Sequence, residues 1–391
     1  MMRMRTAARG ATVGLAIASV ALLTACGTSQ AGSTGGEAAE ELGEMEGQLS
    51  VLAWPGYAED GSNDPEVDWV TPFEEDTGCE VTVKTFGTSD EAVNLMKTGE
   101  YDVVSASGDA SLRLVAAGDV QPVNMELTPN YENIYDFLKD KAWNTVDGEN
   151  YGMPHGYGAN VLMYSTDVFP EAPTSWSVVF DGSDEYAGKV TAYDSPIYIA
   201  DAAMYLMEHE PDLGIENPYA LDEEQLAAAV DLLKQQRENI GEYWSDYLKE
   251  IQAFTTGDTV VGTSWQVIQN VLESEGVSTA VTLPEEGATG WSDTWMIASD
   301  TESPNCAYAW LDHIASPEIN AEATAYFGEA PSSDEACEYR EDCEAYHAGD
   351  AEYASQIWYW TTPIEECIDG RTDVKCTDYS AWTAAWQEIK G

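Results

Sequence analysis

The sequence predicts an α/β protein with largely parallel β-sheets, because strand-like and helical segments alternate from its first folded residues onward. The strand-like runs are QLSVLAWPGY (48–57), CEVTVKTF (79–86) and YDVVSAS (101–107), and the helical runs between them are DWVTPFEEDTG (68–78) and TSDEAVNLMKTG (88–99). Gly78 and Gly99 stand where helices commonly end. Strands that alternate with helices through short turns are typical of parallel α/β architecture.

The second half of the chain continues this pattern. A long amphipathic helix is predicted over LDEEQLAAAVDLLKQQRENI (221–240), where Asp222 and Gln225 have the spacing of a capping box. A buried-type strand follows at TVVGTSW (259–265). The segment STAVTLPEEGATGWSDTWMIA (278–298) then passes through a turn with Pro and Gly, and we interpret it as a return crossing between two lobes.

The N-terminus has the features of an export signal. Arg3, Arg5 and Arg9 precede the apolar run ATVGLAIASVALL (11–23), which is too short to span a bilayer comfortably. Small residues then lead to Cys26 in LLTACG, which resembles a bacterial lipobox with lipidation at Cys26. We therefore predict a signal peptide over 1–25 and a disordered tether over 26–47. An ordinary secretory signal that happens to contain a cysteine is the alternative.

The charge of the chain is extremely negative. All 71 acidic residues follow the predicted signal, so the formal net charge of −55 becomes −58 once its three arginines are removed. Nucleic-acid binding is disfavoured, because neutralising phosphates requires Lys and Arg. Adaptation of the surface to high salt explains most of the charge, while attraction of cationic solutes is compatible with it.

Six cysteines besides Cys26 suggest three disulfides in an exported protein, among fifteen possible connectivities. The simplest pairing joins Cys337 to Cys343 and Cys367 to Cys376, and leaves Cys79 with Cys306. No Cys-x-x-Cys or Cys/His spacing is present and the four histidines are scattered, so neither a metal site nor a cofactor is expected.

Several segments, in this order, resemble the polyamine-binding (spermidine/putrescine) branch of the solute-binding proteins of ABC transporters. They are Trp-x-x-Tyr after the first strand, FEEDTG, GEYDVVSASGDASLRLVAAGDVQPV, GMPHGYGANVLMYSTD, the strand that ends at Trp265, and PEEGATGWSDTWMIA. The resemblance covers about 48–335. It implies a two-lobed, type II-like periplasmic-binding-protein fold with hinge strands and a ligand cleft between the lobes. We expect 48–155 and 290–391 in lobe 1 and 156–289 in lobe 2.

The resemblance also implies a set of ligand-binding residues. These positions are Trp54, Tyr57, Ser107, Asp109, Asp194, Trp265, Trp291, Asp293 and Glu329. The chain departs from the family where Ile197 replaces an acid and where Glu329 replaces a tyrosine. Trp295 shares the strand parity of Asp293, but its family counterpart is aliphatic, so it is expected in the core.

These residue types suit a cationic amine. The methylenes of a polyamine pack on flat aromatic walls, and an ammonium over an indole gains roughly 0.5–2 kcal/mol. Each desolvated ammonium also needs a carboxylate. The sequence thus predicts a monomeric binding protein rather than an enzyme, which captures an amine at the outer face of the cytoplasmic membrane and delivers it to an ABC permease.

Other functions stay open at this point. The cleft could bind another small cation, such as a betaine or an amino-acid derivative, since Ile197 removes one expected acid. The same pocket could serve a lipoprotein that senses a ligand and signals to a membrane kinase. A secreted hydrolase with paired carboxylates is disfavoured, because the chain has no nucleophile elbow, His-Glu-x-x-His or phosphate-binding loop.

Overall fold

The computed structural model describes residues 38–391, and the predicted signal peptide and Cys26 lie outside this range. The strands are β1 Gln48–Ala53, β2 Glu80–Thr85, β3 Val103–Ala106, β4 Thr145–Val146, β5 Glu149–Asn150, β6 Met153–Ala159, β7 Val161–Ser165, β8 Val190–Tyr193, β9 Ile240–Trp244, β10 Val261–Ser264, β11 Thr279–Thr282, β12 Ala288–Ile297, β13 Ala330–Pro331 and β14 Ile357–Tyr359. The helices are α1 Val70–Thr77, α2 Ser89–Met96, α3 Gly108–Ala117, α4 Ser177–Phe180, α5 Ile199–His209, α6 Glu223–Gln236, α7 Tyr247–Thr256, α8 Gln266–Ser274, α9 Pro304–Ile314, α10 Pro317–Phe327, α11 Ala351–Ala354 and α12 Tyr379–Lys390. In this described part no helix is long and apolar enough to cross a membrane.

The described strands form two main sheets and a small hairpin. The first sheet has the order β13-β6-β12-β3-β1-β2, with β14 paired to β12, and the second has the order β11-β7-β10-β8-β9. Within the first sheet β1 is parallel to β2 and β3, while β12 is antiparallel to β3 and β6. The sheets are therefore mixed rather than largely parallel. The strand that enters each sheet from the other one, β12 in the first sheet and β7 in the second, is antiparallel to its neighbours β3 and β6 or β10 and β11.

The chain passes between the sheets at two places. Asn160 alone separates β6 from β7, and residues 283–287 connect β11 to β12. The predicted lobe boundaries at 155/156 and 289/290 fall inside β6 and β12. Both strands belong to the first sheet: β6 leads into the crossing to the second sheet, and β12 follows the crossing back. The division into lobes stays a prediction.

Helix α12 lies against the helices of the second sheet, although its sequence position places it in the predicted lobe 1. Lys234 of α6 forms an ion pair with Glu388 at 2.6 Å, and Arg237 donates to the Ile389 carbonyl at 2.8 Å. Ile389 and Trp382 are fully buried. The last helix thus ties the end of the chain to the second sheet.

The three disulfides pair as the sequence suggested: Cys79 with Cys306, Cys337 with Cys343, and Cys367 with Cys376. The first joins residues 227 positions apart. Next to it, the carboxylate of Glu46 accepts hydrogen bonds from the backbone of Asn305 and Cys306 in the first turn of α9. An acid is favourable at a helix N-terminus. The end of the segment predicted to be a disordered tether is therefore hydrogen-bonded to the body.

Candidate functional site

A cavity of about 290 Å³ lies between the two sheets. Many of its wall residues lie at or just after the carboxyl ends of β1, β3, β8, β9, β10 and β14, where ligands of α/β proteins bind, and β12 and the end of α10 complete the walls. The lining residues are Trp54, Pro55, Gly87, Ser107, Tyr193, Ser245, Asp246, Tyr247, Trp265, Trp291, Asp293, Phe327 and Trp360. Aromatic rings dominate this set, and two carboxylates accompany them.

Asp293 is the buried acid of this cavity. It lies on β12 and is 4% exposed. Its Oδ2 accepts a hydrogen bond from the Tyr57 hydroxyl at 2.9 Å, while Oδ1 has no hydrogen-bond partner among residues 38–391. A buried carboxylate oxygen without a donor is costly, so the site is prepared to receive a donor.

Glu329 lies behind Asp293 and does not line the main cavity. Its Oε2 accepts from the Trp291 indole at 2.7 Å and from the Tyr57 hydroxyl at 3.3 Å, so Tyr57 bridges the two acids. His155 Nε2 is 3.9 Å from Glu329 Oε1. Burial lowers the pKa of His155 to about 3, so the imidazole is neutral near pH 7 and does not compensate the acid.

Burial sets the protonation of the two acids. Desolvation raises the pKa of Asp293 to about 7, and the hydroxyl groups of Ser107 and Tyr57 oppose part of this rise. Desolvation also raises the pKa of Glu329 to about 8, and repulsion from Asp293 adds to it. The pair therefore holds protons near neutral pH until a cation stabilises its charged form.

Two glycines of β6 make room for this arrangement. A Cβ at Gly156 would lie 2.3 Å from Glu329 Oε1, and one at Gly158 would lie 2.4 Å from the Trp291 ring. Both positions face β12 directly, opposite Asp293 and Trp291. The Gly-x-Gly spacing of HGYGAN is thus required by close packing against the site.

The aromatic walls are in mutual contact. Trp265 and Trp291 have ring centroids 5.2 Å apart, and Trp360 is stacked on Tyr193 at 5.6 Å with an interplanar angle of 18°. The Trp54 indole donates to Ser107 at 3.2 Å, and the Trp265 indole donates to Asn160 at 3.0 Å. Ring faces held in this way can pack against methylenes and cations.

A second cavity of about 120 Å³ adjoins the first, with Gly87, Tyr193 and Ser245 in both walls. Asp109 and Asp194 line it. Asp109 accepts from the Ser89 hydroxyl at 2.8 Å and from the Tyr379 hydroxyl at 3.3 Å, and burial raises its pKa. Asp194 accepts from the Trp386 indole and from Lys390 of α12.

The structure separates the predicted residues into three groups. Trp54, Ser107, Trp265, Trp291 and Asp293 line the main cavity. The other four do not: Tyr57 and Glu329 lie behind it, and Asp109 and Asp194 line the smaller cavity. Ile197 is buried and adds no charge, and Trp295 is fully buried against Trp310, as expected for a core residue.

Sequence reasoning missed eight of the lining residues, namely Pro55, Gly87, Tyr193, Ser245, Asp246, Tyr247, Phe327 and Trp360. Tyr193 directly precedes the predicted Asp194, so the end of that strand was the available signal. Trp360 lies in the aromatic run IWYW, which has no counterpart in the motifs of the resemblance.

In the described range no group of three or more His, Cys, Asp or Glu side chains has the arrangement of a metal site. The chemistry of the main cavity is instead that of an aromatic box with one buried anion. Such a box can hold a small organic cation through ring faces and a charge-assisted hydrogen bond.

Comparison with known proteins gives a family and a fold. The model of the bacterial extracellular solute-binding proteins matches residues 68–352. A putrescine/agmatine-binding protein of Pseudomonas aeruginosa is 25% identical over 275 residues, which cover 66% of this chain and 72% of the relative. The putrescine-binding periplasmic protein PotF of Escherichia coli is 24% identical over 291 residues, covering 70% and 74%.

Among solved structures, the spermidine/putrescine substrate-binding protein PotD of Streptococcus pneumoniae superposes with a TM-score of 0.67 at 19% identity. The match covers 88% of this chain and 97% of that protein. The likeness establishes the two-lobed binding-protein fold.

Proposed function

Because this chain belongs to the bacterial extracellular solute-binding proteins, we propose that it captures a small cationic amine of the putrescine/spermidine type and delivers it to an ABC permease. The family is one of binding proteins, not enzymes. The observation that carries the proposal is the buried Asp293, whose Oδ1 accepts no hydrogen bond from residues 38–391 inside an aromatic cavity of about 290 Å³.

The physical argument is complementarity. An ammonium group supplies the hydrogen-bond donor and the positive charge that Asp293 lacks. The faces of Trp265, Trp291 and Trp54 supply cation–π attraction and apolar contact for the methylenes. The names of the relatives support the same class of ligand, since two of them are putrescine-binding proteins.

The proposed location is the outer face of the cytoplasmic membrane, with a lipid anchor on Cys26 and a monomeric body. The sequence before residue 26 supports export, and the family is extracellular. Lipidation is tested by the mass of the protein recovered from membranes, which should exceed the mass calculated for residues 26–391 by the acyl groups.

Titration calorimetry tests the function. The purified protein is titrated with putrescine, spermidine, glycine betaine and a neutral sugar at one pH and ionic strength. The proposal expects saturable binding of at least one of the two polyamines and none of the sugar. Binding of betaine alone would assign the box to a quaternary ammonium, and binding of the sugar without any amine would contradict the proposal.

A further inference from the structure

The three carboxylates that line the smaller cavity all have partners within the protein. Both oxygens of Asp194 are occupied by α12: Oδ1 accepts from the Trp386 indole at 3.1 Å, and Oδ2 pairs with the Lys390 ammonium at 2.5 Å. Asp109 accepts from Ser89 and Tyr379. Asp90 pairs with Arg113 at 2.8 Å.

The main cavity differs in this respect. Within residues 38–391 neither of its carboxylates, Asp293 or Asp246, forms a salt bridge, and Asp293 keeps one oxygen free. An ammonium entering the main cavity thus finds carboxyl groups that form no salt bridge with a Lys, Arg or His of the described residues. In the smaller cavity it finds carboxylates already neutralised or hydrogen-bonded.

Lys390 is held at Asp194 by the packing of its helix. Trp382 and Ile389 of α12 are fully buried, and Arg237, which directly follows α6, donates to the Ile389 carbonyl at 2.8 Å. The Lys390 ammonium also lies over the Tyr243 ring, 5.4 Å from its centroid. This helix lies beyond residue 352, where the match to the family model ends.

We propose that Lys390 is an internal counter-ion of Asp194 that restricts the site to compact amines. The proposal rests on the amine-binding function proposed above. A long triamine anchored at Asp293 would extend its far ammonium into the smaller cavity, where Lys390 repels it and competes for the same carboxylate. A short diamine or a monoamine fits within the main cavity and avoids this repulsion. Lys390 therefore determines specificity rather than anchoring the ligand.

The test compares three variants by titration calorimetry with putrescine and spermidine. Lys390→Met removes the charge and keeps the apolar stem, and Lys390→Arg keeps the charge. Lys234→Met is the matched control, because Lys234 also forms an ion pair with α12, at 2.6 Å from Glu388, but Glu388, unlike Asp194, lines neither cavity. Thermal unfolding of each variant verifies that α12 remains docked.

We expect the wild type to prefer putrescine. Lys390→Met should raise the ratio of spermidine to putrescine affinity about tenfold, since a like charge close to the ligand is removed. Lys390→Arg and Lys234→Met should keep the wild-type ratio. An unchanged ratio in Lys390→Met, or an equal rise in Lys234→Met, would overturn the assignment.

The outcomes also separate the inference from the function on which it rests. If the wild type binds amines and Lys390→Met leaves the ratio unchanged, only the role of Lys390 is wrong. If only Lys390→Met binds spermidine, the role of Lys390 stands and the proposed function of the natural protein is wrong. If neither protein binds any amine, both are wrong.

Discussion

The Tyr57 hydroxyl lies 2.9 Å from Asp293 and 3.3 Å from Glu329, so one phenol connects two buried acids. Burial raises the pKa of both acids into the range around neutrality. The burial of His155 keeps its imidazole neutral. The Arg340 guanidinium, which donates to the Glu329 carbonyl at 2.9 Å, lowers the pKa of Glu329 only in part. Proton release is therefore coupled to amine binding at this site.

This coupling predicts a pH dependence. The empty protein holds protons on acids whose pKa values are raised to about 7 and about 8, and a bound ammonium lowers these values. Binding thus releases protons, and amine affinity should rise between about pH 6 and pH 8 and level off above. Calorimetry in two buffers of different ionisation enthalpy measures the number of protons released.

Glu329→Gln is the control for the proton count. The variant should release fewer protons and show a shallower pH profile while it still binds amine, because Asp293 remains. An affinity that does not change with pH in the wild type would contradict the coupling.

Among the binding-site residues, the sequence predicted those that follow strands. It did not predict the position of residues that long-range packing brings to the site. Trp54, Ser107 and Trp265 each follow a strand of the α/β pattern, and Trp291 and Asp293 share one face of β12. The resemblance to the solute-binding family predicts Tyr57 and Glu329 as ligand-binding residues. Their position behind Asp293 depends on packing against β6, which local sequence does not encode.

Among the secondary-structure elements, the link between β6 and β7 connects the cavity to the crossing between the sheets. Asn160 accepts from the Trp265 indole at 3.0 Å and donates to the Thr289 hydroxyl at 2.7 Å. Thr289 in turn donates to Asp201 of α5 at 3.0 Å. The Trp265 wall of the cavity is thus hydrogen-bonded to Asn160 in the first crossing and, through Asn160, to Thr289 of β12, the strand that follows the second crossing.

We expect Asn160→Ala to weaken amine binding by about 1–3 kcal/mol, because the Trp265 indole and Thr289 would lose a buried partner. Calorimetry measures the loss, and thermal unfolding reports any general destabilisation. Asn270→Ala is a suitable control, since Asn270 bonds Tyr346 at 3.0 Å and lines neither cavity. Equal affinities in the two variants would contradict a role for Asn160 at the site.

The elements themselves were largely predictable, and their pairing was not. The capping box of Asp222 and Gln225 begins α6 as its spacing indicated, and Gly78 ends α1 in the left-handed conformation. The antiparallel pairing of β12 with β3 joins residues far apart in sequence, and so does the docking of α12 on α6. Helix and strand periodicity carries no information on such partners.

For the whole molecule, the formal net charge of −55 is the dominant long-range property. Charges of one sign repel one another across a compact surface and destabilise it. We predict that the melting temperature rises as NaCl increases from about 0.05 M to 1 M. At the upper end of this range the Debye length, over which charges interact, has fallen to about 3–4 Å. Scanning calorimetry at fixed pH measures this, and a melting temperature independent of salt would contradict the repulsion.

The central claim is that the uncompensated Asp293 anchors an amine between the two sheets. Calorimetry of Asp293→Asn with putrescine tests it most directly, and Glu250→Gln is the control, because Glu250 is fully buried with a raised pKa but lines neither cavity. We predict that Asp293→Asn loses about 2–5 kcal/mol of binding free energy while Glu250→Gln binds like the wild type. Wild-type affinity in Asp293→Asn would contradict it.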